Sequence, residues 1–511
     1  MCYRCVKYIF TLKPILAVLG LFSVCQFVFL VGYHNTLEAK RIQSNKQRFC
    51  GSDFDGKSPL QEGPCHNKSE FRMHNHNHAH IIFSTDCSGY QHWQSIVLWY
   101  SAQMVQHKGP ITRIASGCTS YQQASIQKEW DGMSKKSPNG EELLRVHFTP
   151  SFSLHDHRYK YSNKPGGLKH WLLNANPAVS EDEVICLLDP DMVLMKPVTS
   201  TLLTVNGMTK GTIRRNHVRN QRQVEYIDSS GMAQLLRVAS LDEKEPLISH
   251  RIEPGKPAGQ HFGLGGVWAR AGLPKVGKAW KNFSKETICG KNATCTHTSQ
   301  SDAESKYAVG PVYIACASDW RLIAEKWWEF VPKVYKEYPF LLAEMYALTM
   351  AVADLSIPFT LVSNYMVSDP KTRSPTEAWS WVDDLSIGNA GGSKSGSVVD
   401  AVCAGANITQ LPTFSGHRNR FPFPTTLHYC QRYSSTKNFG DGHTFAKRRI
   451  PHDFFKCDGD FLDFDPALVV SESGGSEASS AAVREAFMLC HLIPVVNLAL
   501  KNYKKDMCHT Q

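Results

Sequence analysis

Residues 184–192 have the sequence Val-Ile-Cys-Leu-Leu-Asp-Pro-Asp-Met, an apolar run that ends in two aspartates separated by one proline. Five consecutive apolar residues are typical of a strand buried on both faces, as in sheets covered by helices. Ligands of such sheets bind beyond the carboxyl ends of the strands. Asp189 and Asp191 would lie there, where carboxylates can hold Mg²⁺ or Mn²⁺ together with substrate phosphates. The alternative is a proline-containing turn with solvated carboxylates.

Strand-like and helix-like segments alternate on the amino-terminal side of this run. A short strand-like piece at 80–84 contains three consecutive apolar residues, apolar residues recur at helical spacing over 93–104, and they are frequent again at 111–115. A further strand-like piece at 143–148 precedes a segment with helical spacing that reaches residue 173. This alternation predicts an α/β domain with a central, mostly parallel sheet.

The chain after the aspartates is less regular. Helical spacing returns over 320–330 and 340–352, and residues 358–362 are predicted to form another strand. We place the main globular domain at 79–465. Residues 466–511 are predicted to be a flexible linker and an apolar helix, interrupted by Pro494 and too short to span a bilayer, that packs on the domain.

The amino-terminal segment is basic at first and then apolar. Residues 14–33 carry no charge, and a helix of about 20 residues is long enough to cross a hydrocarbon core of about 30 Å. A cleaved signal peptide also starts with basic residues, but its apolar part is usually only about 7–15 residues long. We therefore predict a cytosolic tail at 1–13, an uncleaved transmembrane anchor at 14–33 and a polar stem at 34–78, with the domain in the lumen.

Cysteines and glycosylation sequons also indicate a lumenal protein. Four Asn-x-Ser/Thr sequons are present, at Asn67, Asn282, Asn292 and Asn407. The chain has 16 cysteines, of which three precede residue 34, so an odd number remains and at least one thiol has no partner within the chain. Cys186, inside the apolar run, is the predicted unpaired thiol, and Cys289 with Cys295 is a predicted pair across a short loop.

Composition and motifs exclude several classes of function. A formal net charge of +10 suits an anionic small-molecule donor but is no signature of nucleic-acid binding, so we expect no nucleic-acid partner. The sequence contains no Gly-x-Ser-x-Gly, His-Glu-x-x-His, phosphate-binding Gly-rich loop or Gly-x-Gly-x-x-Gly motif. Hydrolase triads and P-loop chemistry therefore have no support.

Residues far from the aspartates in sequence are candidates to complete a site. His428 follows a short apolar run and could supply an imidazole ligand, which Mn²⁺ accepts more readily than Mg²⁺ does. Glu344 lies between apolar neighbours in a predicted helix, where a carboxylate needs a partner or a functional cleft. The alternatives are a structural histidine and a carboxylate that is paired within the core.

Contacts with a donor molecule are predicted from the end of the first strand and from two basic residues. Ser84, Thr85 and Asp86 stand at that strand end, where Asp86 could accept hydrogen bonds from a base or a ribose. Lys164 and Arg113 could face a diphosphate. Ordinary surface pairing is the alternative for Asp86, Lys164 and Arg113.

Six short segments occur in one order across roughly residues 80–460: Phe-Ser-Thr-Asp-Cys-Ser-Gly-Tyr-Gln-His-Trp-Gln at 83–94, Gly-Pro-Ile-Thr-Arg at 109–113, Asn-Lys-Pro at 163–165, Leu-Leu-Asp-Pro-Asp-Met at 187–192, Ala-Glu-Met-Tyr at 343–346 and Leu-His-Tyr at 427–429. Together they resemble the plant and algal peptidyl glycosyltransferases that modify hydroxyproline or serine, namely the hydroxyproline O-arabinosyltransferases and the peptidyl serine α-galactosyltransferases. The early segments look more like the serine galactosyltransferase branch.

The resemblance implies a type II membrane enzyme of the Golgi or endoplasmic reticulum with a GT-A-like nucleotide-sugar fold. It implies transfer, with retention of configuration, from UDP-galactose or UDP-arabinofuranose to serine or hydroxyproline of secretory-pathway proteins. Asp189 and Asp191, with His428 as a third ligand, would then hold Mn²⁺ or Mg²⁺ against the donor diphosphate. Lys164 and Arg113 would assist the departing UDP, and Glu344 would face the sugar or the acceptor.

Two other classes of function are weighed against this interpretation. One is a membrane-anchored protein that binds glycans or peptides without turnover, although a dead site need not keep a complete ligand set. The other is a metal-dependent phosphoesterase, a class that often uses two metals and more acidic or histidine ligands than this sequence offers.

Overall fold

The protein is described by a computed structural model that covers residues 78–508 with internal gaps. The gaps are 135–139, 141, 154–158, 206–212, 219–220, 228–232, 238–246, 271–272, 276–277, 281, 373–376, 389–397, 406–422 and 476–477. The predicted tail, anchor and stem up to residue 77 lie outside the described residues, as do the sequons at Asn67 and Asn407.

The described residues form strands and helices along the whole domain. The strands are β1 His80–Thr85, β2 Ile111–Ser116, β3 Leu144–Thr149, β4 Val184–Leu188, β5 Met192–Leu194, β6 Thr201–Val205, β7 Ile213–Val218, β8 Gln221–Ile227, β9 Ala233–Arg237, β10 Leu247–Arg251, β11 Ala258–His261, β12 Leu273–Lys275, β13 Lys278–Trp280, β14 Val309–Cys316, β15 Thr360–Val362, β16 Met366–Val367, β17 Thr426–His428, β18 Arg432–Ser434 and β19 Thr444–Ala446. The α-helices are α1 Gly89–Met104, α2 Ser120–Met133, α3 Asn163–Asn174, α4 Lys285–Cys289, α5 Thr294–His297, α6 Gln300–Asp302, α7 Ala317–Glu337, α8 Ala343–Asp354, α9 Trp379–Gly388, α10 Val398–Gly405, α11 Pro466–Glu472 and α12 Ser480–Cys508.

A seven-stranded sheet with the order β15-β11-β14-β4-β1-β2-β3 lies at the centre. Strands β4, β1, β2 and β3 pair in parallel, and so do β11 and β15. Strand β14 is antiparallel to both of its neighbours, β4 and β11. The sheet is therefore mixed, because β14 runs in the opposite direction to the other strands of a sheet that was predicted to be mostly parallel. The other six strands share one direction, so their carboxyl ends meet at one edge.

Side chains of β4 alternate between two hydrophobic cores. Cys186 and Leu188 contribute to a core that includes residues of α1 and α12, whereas Ile185 and Leu187 contribute to a core that includes residues of α3, α7 and α8. All four are at most 1% exposed. The indole N–H of Trp320, on α7, donates a hydrogen bond to the Ile185 carbonyl at 3.1 Å. Burial of both faces explains why this strand is uniformly apolar in sequence.

The carboxyl-terminal helix α12 is longer than the sequence predicted. It runs through Pro494, although a proline inside a helix removes one hydrogen bond. Leu489, Val495 and Leu500 are fully buried, which stabilises the helix in spite of that loss. Within the described part of the chain, α12 is the one helix long and apolar enough to cross a membrane, but 78% of its most apolar window is buried inside the protein. Helix α12 thus packs against the rest of the domain and continues through Pro494, where the sequence predicted an interruption.

Four disulfides join cysteines of the described residues, namely Cys87–Cys118, Cys289–Cys295, Cys403–Cys490 and Cys457–Cys508. The predicted pair Cys289–Cys295 is confirmed. Cys186 is unpaired and buried, as predicted, and Cys316 and Cys430 are unpaired as well. The bond between Cys403 and Cys490 links α10 to α12 across a sequence separation of 87 residues, against 6 for Cys289–Cys295.

Removal of the long-range disulfide is expected to destabilise the domain more than removal of the local one. The loop-entropy relation predicts that the double variant Cys403→Ser, Cys490→Ser loses about 2 kcal/mol more free energy of unfolding than the double variant Cys289→Ser, Cys295→Ser. Urea unfolding of both variants under oxidising conditions measures this difference. Equal losses in the two variants would show that loop closure does not govern their stability.

Candidate active site

The two aspartates lie at the carboxyl edge of the sheet. Asp189 directly follows β4, and Asp191 directly precedes β5. Both line a cleft with a volume of about 3440 Å³. Asp191 is only 7% exposed, so its carboxylate is largely removed from water. This placement is the one expected when an apolar strand is buried on both faces and ends in charged residues.

Strand pairing brings His428 to the aspartates from far along the chain. Strand β17 is antiparallel to β5, with His428 opposite Met192. The backbone N–H of Tyr429 donates to the Asp191 carbonyl at 3.0 Å. As a result, Nε2 of His428 lies 3.3 Å from Oδ1 of Asp191.

Asp189, Asp191 and His428 form a group that could hold a metal ion. One ligand atom from each side chain lies within 4.8 Å of the other two. Two carboxylates and an imidazole make a mixed oxygen and nitrogen set, which fits a divalent cation such as Mn²⁺. No second group of three or more histidine, cysteine, aspartate or glutamate side chains is placed this way in the part of the chain that the structure describes.

Each aspartate of this group has a lysine partner. Nζ of Lys164 lies 2.7 Å from Oδ1 of Asp189, and Nζ of Lys447 is bonded to Oδ2 of Asp191. Burial raises the pKa of Asp191, but His428 and Lys447 more than offset this and hold it far below its usual value. Burial by itself lowers the pKa of Lys164, but the neighbouring carboxylates of Asp189 and Glu344 raise it well above its usual value. Asp191 is therefore ionised, and Lys164 carries a positive charge.

Lys447 was not predicted from the sequence. It begins the run Lys-Arg-Arg at 447–449, which forms a short 3₁₀ turn after β19. In a sequence, such a basic run most often marks a solvated surface. Only the fold shows that its first residue reaches Asp191.

Glu344 is buried on the wall of the same cleft. It lies in the first turn of α8 and is 6% exposed, and its backbone N–H donates to the Tyr159 hydroxyl at 2.7 Å. Its Oε1 lies 3.5 Å from Nζ of Lys164. The pKa of Glu344 is raised to about 7, mainly by burial. The Lys164 ammonium opposes this increase, and the Asp189 carboxylate adds to it. Lys164 thus links Glu344 to Asp189 electrostatically.

The three predicted donor-binding residues at the end of β1 line the cleft. They are Ser84, Thr85 and Asp86. Oδ1 of Asp86 accepts a hydrogen bond from the Ser88 backbone N–H at 2.9 Å, and its Oδ2 lies 3.1 Å from Nζ of Lys160. The Asp86 side chain is therefore held at the cleft, while its role toward a ligand remains a prediction.

Arg113 lies inside the protein, and the predicted contact with a diphosphate is wrong. It is 0% exposed. Its Nε donates to Thr85 Oγ1 at 2.8 Å, its Nη1 to His92 Nδ1 at 2.9 Å and its Nη2 to the Asp86 carbonyl at 3.1 Å. Its guanidinium also lies 5.0 Å from the Trp130 ring centre. These internal bonds leave Arg113 to position the residues at the end of β1.

Replacement of Arg113 by methionine is expected to destabilise the protein strongly. The variant Arg113→Met leaves three acceptors without their donor, and breaking a buried charged network of this kind costs about 3 kcal/mol of unfolding free energy. Arg145→Met on the neighbouring β3 is the control, because Arg145 is partly exposed and its Nε donates to the exposed Glu142 carbonyl, at 3.0 Å. That control should lose less than about 1 kcal/mol in urea unfolding. Equal stability of the two variants would contradict a structural role for Arg113.

Sequence comparison finds relatives over part of the chain, while no protein-family model matches it. A peptidyl serine alpha-galactosyltransferase of Arabidopsis thaliana is 32% identical over 123 residues, and one of Chlamydomonas reinhardtii is 29% identical over 125 residues. The chain is similar to peptidyl serine alpha-galactosyltransferases. Each alignment covers 24% of this chain but only 13% and 15%, respectively, of the two relatives. The resemblance indicated by the sequence segments is confirmed to this extent.

Solved structures with a similar arrangement are distant. An active-site mutant of LgtC is 10% identical with a TM-score of 0.30, covering 69% of this chain and 87% of the LgtC chain. The bifunctional glycosyltransferase WbbM is 9% identical with a TM-score of 0.32, covering 70% of this chain and 46% of its own. Likeness at this distance identifies neither a substrate nor a mechanism.

Proposed function

We propose that the protein is a glycosyltransferase with a GT-A-like fold that transfers a sugar from a UDP-sugar to a hydroxyl of a secretory-pathway protein. The observation that carries the proposal is the group of Asp189, Asp191 and His428 beside the Lys164–Glu344 pair, on one cleft at the carboxyl edge of the sheet. Similarity to peptidyl serine alpha-galactosyltransferases supports UDP-galactose as donor and serine as acceptor. UDP-arabinofuranose and hydroxyproline are the alternatives.

The residues at the sheet edge fit a divalent cation. Asp189, Asp191 and His428 would hold Mn²⁺ or Mg²⁺, and the Lys447 ammonium bonded to Asp191 shows that this position stabilises positive charge. When bound, the ion would supply Lewis-acid stabilisation to the departing diphosphate.

Lys164 and Lys447 are the side chains proposed to steady the leaving UDP. Both ammonium groups lie directly against the aspartates of the ligand group, and both line the cleft. A fixed cation in a site with little water stabilises developing negative charge more strongly than it does in bulk solvent. Lys164 keeps the role predicted from the sequence, and Lys447 replaces Arg113, which is buried inside the protein.

The proposed reaction retains configuration at the anomeric carbon. The bond from that carbon to the phosphate oxygen breaks, and the bond to the acceptor oxygen forms on the same face. The acceptor proton passes to the departing phosphate oxygen, so the scheme needs no separate protein base. Glu344 is proposed to steady positive charge at the anomeric carbon or to orient the acceptor hydroxyl, with Lys164 favouring its ionised form.

We further propose that the protein is a single-pass type II membrane protein of the Golgi or endoplasmic reticulum, with the domain in the lumen. The apolar segment at 14–33 is the proposed anchor. Both described sequons support a lumenal location, since Asn282 and Asn292 are exposed and could be glycosylated. Disulfides among the described cysteines agree with an oxidising compartment.

A UDP-release assay tests the proposed activity. We expect the fragment from about residue 50, with Mn²⁺ and a panel of UDP-sugars, to release UDP from one sugar. Asp191→Asn should reduce this rate by about 100-fold or more, because the charge that anchors the cation is lost, and Glu344→Gln should reduce kcat similarly. The matched control is Asp460→Asn, which changes an exposed aspartate outside the cleft lining and should keep the rate.

Three outcomes would contradict parts of the proposal. Full turnover in Asp189→Asn or Asp191→Asn would remove the metal assignment. Normal turnover in Glu344→Gln would remove the role of Glu344. Absence of UDP binding to the folded fragment would contradict the proposed glycosyltransferase activity as a whole.

A further inference from the structure

The candidate metal group is already neutralised by the chain itself. Asp189 pairs with Lys164, and Asp191 pairs with Lys447. The side chains of Lys164, Lys447 and Asp191 are mostly buried, each with at most 22% of its surface exposed. Because water screens such pairs less than it screens surface pairs, the ammonium groups compete effectively for the carboxylate oxygens.

A divalent cation that arrives alone therefore meets two ion pairs rather than two free carboxylates. To use both oxygens of Asp191 fully it must displace the Lys447 ammonium. The displaced ammonium would then stand without its partner in a partly buried position, and an unpaired charge there is costly. Binding of the cation alone should be weak for this reason.

Lys164 and Lys447 differ in what they keep after such a displacement. Lys164 also lies 3.5 Å from Oε1 of Glu344, so it retains a carboxylate neighbour. Lys447 pairs with Asp191, and no other carboxylate lies within ion-pair distance of it among the described residues. Displacement by a cation therefore leaves Lys447, and not Lys164, without a carboxylate partner.

A nucleotide diphosphate removes this cost. Its oxygens accept charge-assisted hydrogen bonds from an ammonium group. Lys447 and its neighbour Arg448 both line the cleft that contains the aspartates, so the freed side chain can meet a diphosphate bound there.

We propose that Lys447 couples cation binding to nucleotide binding: it pairs with Asp191 in the empty site and transfers to the diphosphate when cation and nucleotide bind together. This inference rests on the proposed function, because it requires a UDP-type ligand at the candidate metal group. It assigns Lys447 a ligand-binding role that can be measured in binding constants, without any turnover.

Titration of the fragment with Mn²⁺, alone and with saturating UDP, tests the coupling. In the wild-type protein, UDP should raise the Mn²⁺ affinity by at least about fivefold. In Lys447→Met, Mn²⁺ alone should bind several-fold more tightly, because Asp191 is free, and the gain from UDP should shrink. Linkage requires that the Mn²⁺-dependent gain in UDP affinity shrink by the same factor.

Two further variants separate the charge of Lys447 from unrelated effects. Lys437→Met removes an exposed lysine from the same cleft and should match the wild-type protein in both titrations. Lys447→Arg keeps a cation near Asp191 and should retain most of the coupling. Thermal unfolding without ligands confirms that each variant is folded.

The result that would overturn the inference is a wild-type protein that binds both Mn²⁺ and UDP while Lys447→Met shows the same affinities and the same coupling. A wild-type protein that binds neither ligand would overturn the proposed function, and the inference with it. The two failures are therefore distinguishable in one set of titrations.

Discussion

Burial of both faces of β4 constrains where this domain can place charge. A strand covered on each side by a hydrophobic core can carry ionised side chains only where it leaves the sheet. Asp189 and Asp191 occupy that position, and the antiparallel pairing of β17 with β5 adds His428 beside them. The location of the site is thus a consequence of how the central sheet is packed.

Carboxylates gathered in this way repel one another and lose hydration, so they require compensation within the fold. Lys164 and Lys447 provide it, one for each aspartate. Glu344 shares Lys164 with Asp189, and burial raises the pKa of Glu344 to about 7 in spite of that partner. The arrangement of two lysines beside the ligand group suits a site that receives a cation and a diphosphate together, since the incoming anion offers the lysines new partners.

The local elements around the site could be predicted because they depend on short-range patterns. The uniformly apolar run at 184–188 predicted a buried strand, and the rule that ligands bind beyond strand ends predicted the position of the aspartates. The direction of β14 could not be predicted, because pairing direction depends on long-range topology. Helix α12 continues through Pro494 because burial of its neighbours outweighs the local effect of proline.

Side-chain roles in the site were harder to predict, since they depend on which face of an element a residue occupies. Arg113 looks like a phosphate ligand in sequence, but β2 points it into the core toward Thr85 and His92. Lys447 looks like part of a solvated basic run, yet it bonds Asp191. Both differences arise from contacts between segments that are distant in sequence, for which the local pattern contains no signal.

A crystal structure of the domain with Mn²⁺ and UDP, with the ion located by its anomalous scattering, tests the central claim most directly. The predicted result is one ion bound by Asp189, Asp191 and His428, with the diphosphate against it and Lys447 moved from Asp191 to a phosphate oxygen. An ion bound elsewhere, or UDP bound outside this cleft, would contradict the claim that this sheet edge is the catalytic centre.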